Sequence, residues 1–413
     1  MPLLVSKFSF AFFIFLGLPP LAVAGTITYF ISTSLDKPES ANIYADTSSL
    51  SSFLIEKPRS VLPGDENAPE ITCMTPSGNF VIEYGKKVSC KEIQWTTTFS
   101  LIPEAGINVS SQKNLFSSTS GWWVLFEWNN LPRIKENHAI KVCADGGDGV
   151  GDSLVCRKLP GPDEPPLIMP WGNYNVQEKN QDLEFTLFSD VAQRALSLQS
   201  RALFIAQYRY LRKLFSLPPH SGNQLDLILV GIDAGKGSIG GAAGSQAFIA
   251  NYPEYPEGRA EESTSRTHWV AGHEMFHIIS PHEFPLWISE SLAQYYGYKS
   301  QVVVGGTTTI NPLEMWAKDA AQLPHASSGL YQAHKMVSGK QDMSYYPLLY
   351  IKGAAFWQNL DVLLQTQGRS LDEFLSKLTS ADLSSGELPD SFAKSVLGII
   401  GGDRYKKLVS QYM

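Results

Sequence analysis

The sequence lacks the features that mark disordered, fibrous and nucleic-acid-binding chains. Charged residues make up 18% of its 413 residues, and no block of like charges is long enough to follow a phosphate backbone. It contains no internal repeat and no Gly-x-Ser-x-Gly elbow that could carry a serine nucleophile. With 43% hydrophobic residues, the composition is that of a globular protein. Disorder, collagen and a multi-span membrane protein are therefore excluded, and we expect no nucleic acid partner.

Cysteine is scarce, and none of the four cysteines belongs to a Cys-x-x-Cys pair, which argues against a zinc ribbon. All four lie in the first half of the chain. Their even number favours disulfides if the chain is exported, and four cysteines allow three connectivities. We favour Cys73 with Cys90 and Cys143 with Cys156, because each pair closes a short loop between strand-like segments.

The first 24 residues are typical of an export signal. They carry one charge, at Lys7, followed by an apolar run and a small-x-small ending at Ala22 and Ala24. The apolar run is about 14 residues long, short of the ~20 that a membrane-spanning helix needs. We therefore predict a signal peptide at 1–24 that is cleaved before Gly25. The mature protein would be periplasmic or extracellular, with no stable membrane anchor.

The pattern of hydrophobic residues changes along the chain, and a length of 413 residues suggests two or three domains. Short alternating segments separated by turn residues predict a β-rich, sandwich-like domain at 25–170. The proline-rich segment 159–166 cannot form a helix or a central strand and predicts a linker. Strands are predicted at 225–230 and 246–250, and helices at about 190–215, 264–279, 286–298, 348–366, 370–379 and 403–412. The fold class is therefore α+β.

The segment 268–277 contains His-Glu-x-x-His within a helical pattern. Residues i and i+4 of a helix share one face, so His273 and His277 can bind one metal ion. In zinc peptidases with this pattern, the glutamate after the first histidine acts as general base toward a water molecule that the metal activates. That role would fall on Glu274. The pattern is short enough to occur by chance, so a third ligand is needed to support a metal site.

The third ligand has three candidate positions. A metzincin would need Gly and His three and six residues after His277, and the sequence has neither there. His282 lies one position away from that spacing. Glu290 is the better candidate, because Pro285 begins a second predicted helix that can return its carboxylate to the two histidines. Two histidines and one glutamate leave a fourth zinc position open, so we predict one catalytic zinc ion per chain.

Gln294 lies one helical turn beyond Glu290 and is a candidate hydrogen-bond acceptor for a ligand imidazole. The alternative is a solvent-exposed helix position. A loop at 144–152 has spaced carboxylates that suggest calcium, but it lacks the EF-hand spacing and closing glutamate. A turn inside a disulfide loop is the favoured interpretation there.

The segment Trp287-x-x-Glu290-x-x-Ala293-x-Tyr295, following His-Glu-x-x-His, resembles the gluzincin zinc metallopeptidases. Within that group it is most similar to the glycyl aminopeptidase family and more distantly to aminopeptidase N and leukotriene hydrolase. A second segment, 345–354, resembles the Tyr-x-Lys-Gly-Ala segment of the same families.

The resemblance covers roughly residues 175 to 413. It implies a thermolysin-like zincin catalytic domain at 171–300 and a helical C-terminal domain at 301–413 that completes the active-site cleft. It also implies that Tyr350 donates a hydrogen bond to the tetrahedral oxyanion. The expected activity is zinc-dependent hydrolysis of peptide bonds in an exported peptide or protein substrate. The alternatives are a non-catalytic exported binding or envelope protein with this fold, and a gluzincin hydrolase of a non-peptide substrate.

The sequence departs from the aminopeptidases where they bind the free amine of the substrate. Their Gly-x-Met-Glu-Asn strand supplies a glutamate, whereas the corresponding stretch 240–246 contains no carboxylate. The choice between endopeptidase and aminopeptidase therefore stays open, as does the oligomeric state. Glutamates that could supply charge from another direction are Glu254, Glu257, Glu261 and Glu262. We expect the strand that begins at Gln246 to pair with an extended peptide.

Overall fold

A computed structural model provides the three-dimensional structure. It describes residues 26–413 except 61–67, 104–106, 136–138, 146–153, 180–182, 191–196, 216–223, 236–238, 257, 281–283, 380–382 and 384. The predicted signal peptide at 1–24 and most of the calcium-like loop therefore lie outside the described residues. Within the described part of the chain, no helix has both the length and the apolar character to cross a membrane.

The N-terminal part of the chain is β-rich, as predicted. Its strands are β1 (Thr26–Ser32), β2 (Ser40–Asp46), β3 (Phe53–Glu56), β4 (Thr72–Cys73), β5 (Phe80–Val81), β6 (Lys87–Val88), β7 (Glu92–Thr98), β8 (Ser100–Leu101), β9 (Leu115–Ser117), β10 (Trp122–Phe126), β11 (Arg133–Ile134), β12 (Ala139–Ala144), β13 (Val155–Lys158) and β14 (Ile168–Gly172). A short helix, α1 (Glu127–Asn130), and a 3-10 turn at Val109–Ser111 interrupt them.

These strands form sheets in the orders β13-β12-β1-β2-β7-β4-β5, β14-β10-β9-β8 and β11-β3-β6. Buried and exposed residues alternate along β2 and β7, as expected for strands with one face on the core. Side chains from all of these sheets meet in one hydrophobic core. There Tyr29 packs edge-to-face on Trp95 at 5.0 Å, and Trp123 stacks on Trp171 at 6.2 Å.

Both expected disulfides are present. Cys73 is bonded to Cys90, and Cys143 to Cys156, with sequence separations of 17 and 13 residues. The second pair lies opposite each other on β12 and β13. In a chain-entropy argument, a crosslink that closes a loop of this length stabilises the folded state by about 3 kcal/mol.

A second region begins with the sheet β15 (Val176–Lys179), β16 (Glu184–Ser189), β17 (Gln224–Asp233), β18 (Gly241–Ala243) and β19 (Ala247–Glu254). Its order is β15-β16-β17-β19-β18. The strands β16, β17 and β19 are parallel, and β18 runs antiparallel to β19. The expectation that the strand from Gln246 pairs with a peptide is therefore wrong, because β19 is hydrogen-bonded on both sides. The edge strand next to β19 is β18.

The two faces of this sheet pack against different partners. Leu227 and Leu229 of β17 belong to the core shared with the helices, whereas Ile228 and Val230 belong to a core shared with β10 and β14 of the N-terminal region. Residues i and i+2 of a strand lie on one face, so this alternation reports two covered faces. Because both faces are covered, β17 is hydrophobic along most of its length. The N-terminal region covers one of these faces.

The remaining chain is largely helical, so the α+β class is confirmed. The helices are α2 (Leu198–Leu214), α3 (Ala260–Ile279), α4 (Leu286–Val303), α5 (Pro312–Asp319), α6 (Leu330–Lys340), α7 (Tyr346–Gln365), α8 (Leu375–Thr379), α9 (Asp390–Ile400) and α10 (Gly402–Tyr412), with 3-10 turns at Met343–Tyr345 and Leu371–Phe374. Of these helices, α5, α6 and α9 were not predicted from the sequence. For α5 a signal existed: Asn311 and Glu314 form a capping box around Pro312.

The helices α3 and α4 cross at a pair of glycines. A Cβ atom on Gly272 would lie 2.9 Å from Cα of Gly297, and one on Gly297 would lie 2.7 Å from the carbonyl oxygen of Trp269. Any larger residue at either position would push the helices apart. The crossing therefore brings His273, one residue after Gly272, close to Gln294, one turn before Gly297.

A buried ion pair joins the N-terminal region to the second sheet. Nη2 of Arg157, on β13, lies 2.6 Å from Oδ2 of Asp226, on β17; the Asp226 side chain is almost inaccessible to solvent, and that of Arg157 is mostly buried. Burial raises the pKa of Asp226, and the Arg157 guanidinium opposes that rise.

We expect Arg157→Met to destabilise the protein by about 3–5 kcal/mol, because it leaves a buried carboxyl group without its cation. Arg157→Met combined with Asp226→Asn should recover most of this loss, since the isosteric amide carries no charge. Urea unfolding of the mature protein at pH 7 measures both effects. Equal stabilities for the single and double variants would show that the pair does not couple the two regions.

Candidate active site

The structure brings the three predicted metal ligands together. Nε2 of His273 and Nε2 of His277, both on α3, lie 3.1 Å apart. Oε2 of Glu290, on α4, lies 3.5 Å and 3.6 Å from these nitrogens. One ligand atom from each of the three residues therefore fits within a cluster 4.8 Å across. His282, the rejected alternative, lies outside the described residues.

The contacts around these atoms fit a bound cation. Oε1 of Gln294 lies 3.1 Å from Nδ1 of His273 and can only accept, so Nδ1 carries the proton and Nε2 presents a lone pair to the cluster. Oε2 of Glu290 is buried and has no hydrogen-bond partner among the described residues. A buried carboxylate oxygen in that position is costly unless a positive charge lies beside it. Two imidazoles and one carboxylate are a donor set that suits zinc.

The two histidines act to lower the pKa values of the neighbouring glutamates. Burial alone would raise the pKa of Glu290, but contacts with His273 and His277 outweigh burial and hold that pKa well below its usual range. Glu290 is therefore ionised at neutral pH. Burial raises the pKa of Glu274, and the two histidines oppose that rise.

Glu274 lies against the edge strand β18. A Cβ atom on Gly241 would lie 2.5 Å from Oε1 and 2.7 Å from Cγ of Glu274. Glycine at this position gives the carboxylate its room, and any side chain there would displace it. The glycine-rich stretch 240–246, which contains no carboxylate, thus leaves space for the Glu274 side chain.

Tyr350 reaches the cluster from α7. Its ring stacks on the His273 ring, with centroids 5.5 Å apart and planes 7° apart. A Cβ atom on Gly353 would overlap Ser291 of α4, so the glycine of the Tyr-x-Lys-Gly-Ala segment allows α4 and α7 to touch. The lysine of that segment, Lys352, is buried and donates hydrogen bonds to two backbone carbonyl groups.

The Tyr350 hydroxyl lies 3.1 Å from the hydroxyl of Tyr346, one helical turn earlier. Burial, with the negative charge of Glu290, raises the pKa of Tyr350 well above its usual value. The hydroxyl is therefore protonated at neutral pH and can donate a hydrogen bond.

An open cavity of about 300 Å³ lies beside the cluster. Its lining comprises Ile239, Gly240, Gly241, Arg266, Trp269, Val270, His273, Glu274, Gln294, Met315 and Tyr350. Four of these side chains, His273, Glu274, Gln294 and Tyr350, were predicted from the sequence, whereas Arg266 was not. A signal for Arg266 existed, because it stands seven residues, or two helical turns, before His273 and so shares its face of α3.

Of the glutamates considered as amine ligands, those that the structure describes do not line this cavity. Glu262 instead contacts two arginines: Oε2 accepts from Nε of Arg259 at 2.8 Å, and Oε1 lies 3.5 Å from Nε of Arg266. Glu254 and Glu261 are also absent from the described lining, and Glu257 is outside the described residues. Among the described residues of the lining, the only carboxylate is that of Glu274.

Comparison with known proteins finds the fold but no sequence relative. No protein-family profile and no curated protein matches the chain. An aminopeptidase N family protein from Idiomarina loihiensis is similar in structure, with a TM-score of 0.61 and 12% identity over 94% of this chain and 76% of that one. An M1 zinc metallopeptidase from Deinococcus radiodurans gives a TM-score of 0.47 and 12% identity over 94% and 93% of the two chains. The first similarity shows that the chain shares a fold with an aminopeptidase N family protein.

We expect Gln294→Leu to weaken zinc binding by about 10- to 100-fold, because His273 loses the acceptor that fixes its ring and tautomer. Competition with a chromophoric chelator measures the affinity. Gln207→Leu is the matched control, since Oε1 of Gln207 lies 3.0 Å from Nδ1 of His268, a buried histidine of α3 that is not part of the cluster. A comparable loss of zinc in both variants would mean that Gln294 acts through stability alone.

Proposed function

We propose that the protein is an exported, zinc-dependent metallopeptidase of the gluzincin type. The observation that carries the proposal is the convergence of His273, His277 and Glu290, with Glu274 beside them and Tyr350 opposite. The fold shared with an aminopeptidase N family protein supports it. The disulfides are compatible with export. We propose a thermolysin-like catalytic domain at 171–300, between a β-rich domain at 25–170 and a helical domain at 301–413.

His273, His277 and Glu290 would hold one zinc ion per chain. Bound zinc would polarise the scissile carbonyl as a Lewis acid and lower the pKa of a water molecule, so that the water loses a proton more easily and attacks the carbonyl. Glu274 then accepts a proton from the attacking water and passes it to the departing amine, acting first as base and then as acid. Tyr350, held against His273, donates its hydroxyl proton in a hydrogen bond to the developing oxyanion.

The edge strand β18 gives the substrate a place to bind. β18 lies at one edge of its sheet, and β19 is its strand partner among the described residues. An extended peptide would add along the outer edge of β18 through backbone hydrogen bonds, which do not depend on the peptide's side chains. This arrangement would place the peptide in the cavity that β18 and α3 line, next to Glu274.

We expect Glu274→Gln to retain zinc but lose about 99% or more of its turnover, because the amide cannot accept the proton. The measurement is a mass-spectrometric cleavage map of a mixed peptide pool, with wild-type and variant proteins, each with and without a chelator. Glu261→Gln is the control, as it neutralises an exposed acid near the start of the same helix.

Cuts that appear with wild type and Glu261→Gln, and that vanish with Glu274→Gln or chelator, support the proposal. Cut positions separate endopeptidase from aminopeptidase activity. Wild-type rates in Glu274→Gln would contradict the mechanism. No cuts by wild-type protein with one zinc bound would favour a binding or envelope protein, or a non-peptide hydrolase.

We expect Tyr350→Phe to lower kcat by about 100- to 1,000-fold with little change in KM, because the lost hydrogen bond forms only as charge develops on the oxygen. Tyr346→Phe removes the hydroxyl that lies 3.1 Å from that of Tyr350 but leaves the Tyr350 hydroxyl in place, so it tests the orientation of Tyr350 and should have a smaller effect. Steady-state kinetics on one cleaved peptide decide the point. If neither kinetic parameter changes in Tyr350→Phe, the tyrosine serves only to pack against His273.

A further inference from the structure

The cavity carries a positive charge that the proposed mechanism does not use. Arg266 lines it together with His273 and Glu274. All three stand on one face of α3, and seven residues separate Arg266 from His273, a rise of about 10 Å along the helix axis. An extended peptide covers about 3.3–3.6 Å per residue, so this distance corresponds to about three residues from the scissile bond.

The Arg266 guanidinium is only weakly engaged by protein acids. In the described part of the chain its ion pair is with Glu262, at 3.5 Å between Nε and Oε1. Glu262 is shared with Arg259, which makes the shorter contact. The Arg266 side chain is 42% exposed, while its Nε atom is buried and has no hydrogen-bond partner among the described residues. The group is thus both accessible and incompletely satisfied.

The rest of the described cavity lining offers no free negative charge that could attract a cationic ligand. Of the described lining residues, Glu274 is the only acid, and the proposed reaction requires it for proton transfer. A substrate ammonium at the Arg266 end of the cavity would meet a cation, whereas a carboxylate would meet a planar guanidinium that can bind it with two hydrogen bonds.

We propose that Arg266 binds a carboxylate of the substrate, so that the enzyme selects peptides with an anionic group within about three residues of the scissile bond. This inference rests on the proposed function and names its substrate class. The carboxylate has two sources, the C-terminus of a short peptide or an Asp or Glu side chain. Both present the same chemistry to the guanidinium.

The test uses one cleavable peptide in matched versions. In one arm, each position up to three residues from the cut carries Glu, Gln or Lys in a peptide whose C-terminus is amidated. In the other arm, a neutral peptide ending within three residues of the cut carries a free carboxylate or an amide. The first arm detects a side-chain carboxylate, and the second detects a terminal one.

The protein variants are Arg266→Gln, Arg266→Glu, Arg266→Lys and Arg259→Gln. We expect wild type to favour the anionic peptide of at least one arm over its neutral match by roughly 10- to 100-fold in kcat/KM. Arg266→Gln should abolish that preference, Arg266→Glu should reverse it toward Lys, and Arg266→Lys should retain part of it. Arg259→Gln should keep the preference, because it removes a partner of Glu262 without changing the cavity lining.

Binding separates failure of this inference from failure of the proposed function. Calorimetry with zinc-loaded Glu274→Gln protein, with and without Arg266→Gln, gives Kd for the same peptides without turnover. Tighter binding of the anionic peptide that depends on Arg266 supports the inference even if wild type cuts nothing. Equal affinities for anionic and neutral peptides, or an equal loss in Arg259→Gln, would overturn it. Thermal unfolding of each variant confirms that it is folded.

Discussion

The close crossing of α3 and α4 is the constraint on which the site depends. Gly272 and Gly297 face each other at a distance that leaves no room for a Cβ atom. The two histidines come from one helix and the carboxylate from the other, so the distance between the helices sets the distance between the ligand atoms. The separations of 3.5 and 3.6 Å between Glu290 and the imidazole nitrogens exist only because the helices approach this closely.

A largely buried network joins α4, one of the two crossing helices, to α7. Nζ of Lys299, on α4, lies 2.8 Å from Oδ2 of Asp361 on α7 and 2.6 Å from Oδ1 of Asp372. The hydroxyl groups of Tyr295 and Tyr296 donate to the same two carboxylates. Each charge therefore has partners of opposite sign or hydrogen-bond donors, the condition under which buried ions are tolerated. Because the network links α4 to α7, it also fixes the helix that carries Tyr350.

The sequence could predict those parts of the site that depend on local spacing. His273, Glu274 and His277 follow from helical periodicity, and Glu290 from the second helix and its motif. The helical spacing places Arg266 on the same face as His273, but that spacing does not show that the arginine borders a cavity. The position of β18 at the sheet edge could not be predicted from the sequence either, because strand order depends on pairing between residues distant in sequence. The short helices α5 and α9 had local signals that were not used: the capping box of Asn311 and Glu314 in α5, and apolar residues at i, i+4 and i+8 in α9, namely Phe392, Val396 and Ile400.

The site is built by several separate segments of the chain rather than by one contiguous segment. The ligands and Glu274 lie on α3 and α4, whereas Tyr350 lies on α7, within the proposed C-terminal domain. The strand β17, which supports this part of the fold, has one face covered by the N-terminal region through Trp122 and Ile168. Removal of that region would expose an apolar sheet face and leave Asp226 without Arg157. The β-rich region therefore covers one face of the five-stranded sheet that contains β17. The proposed division into three domains thus does not imply three independently stable units.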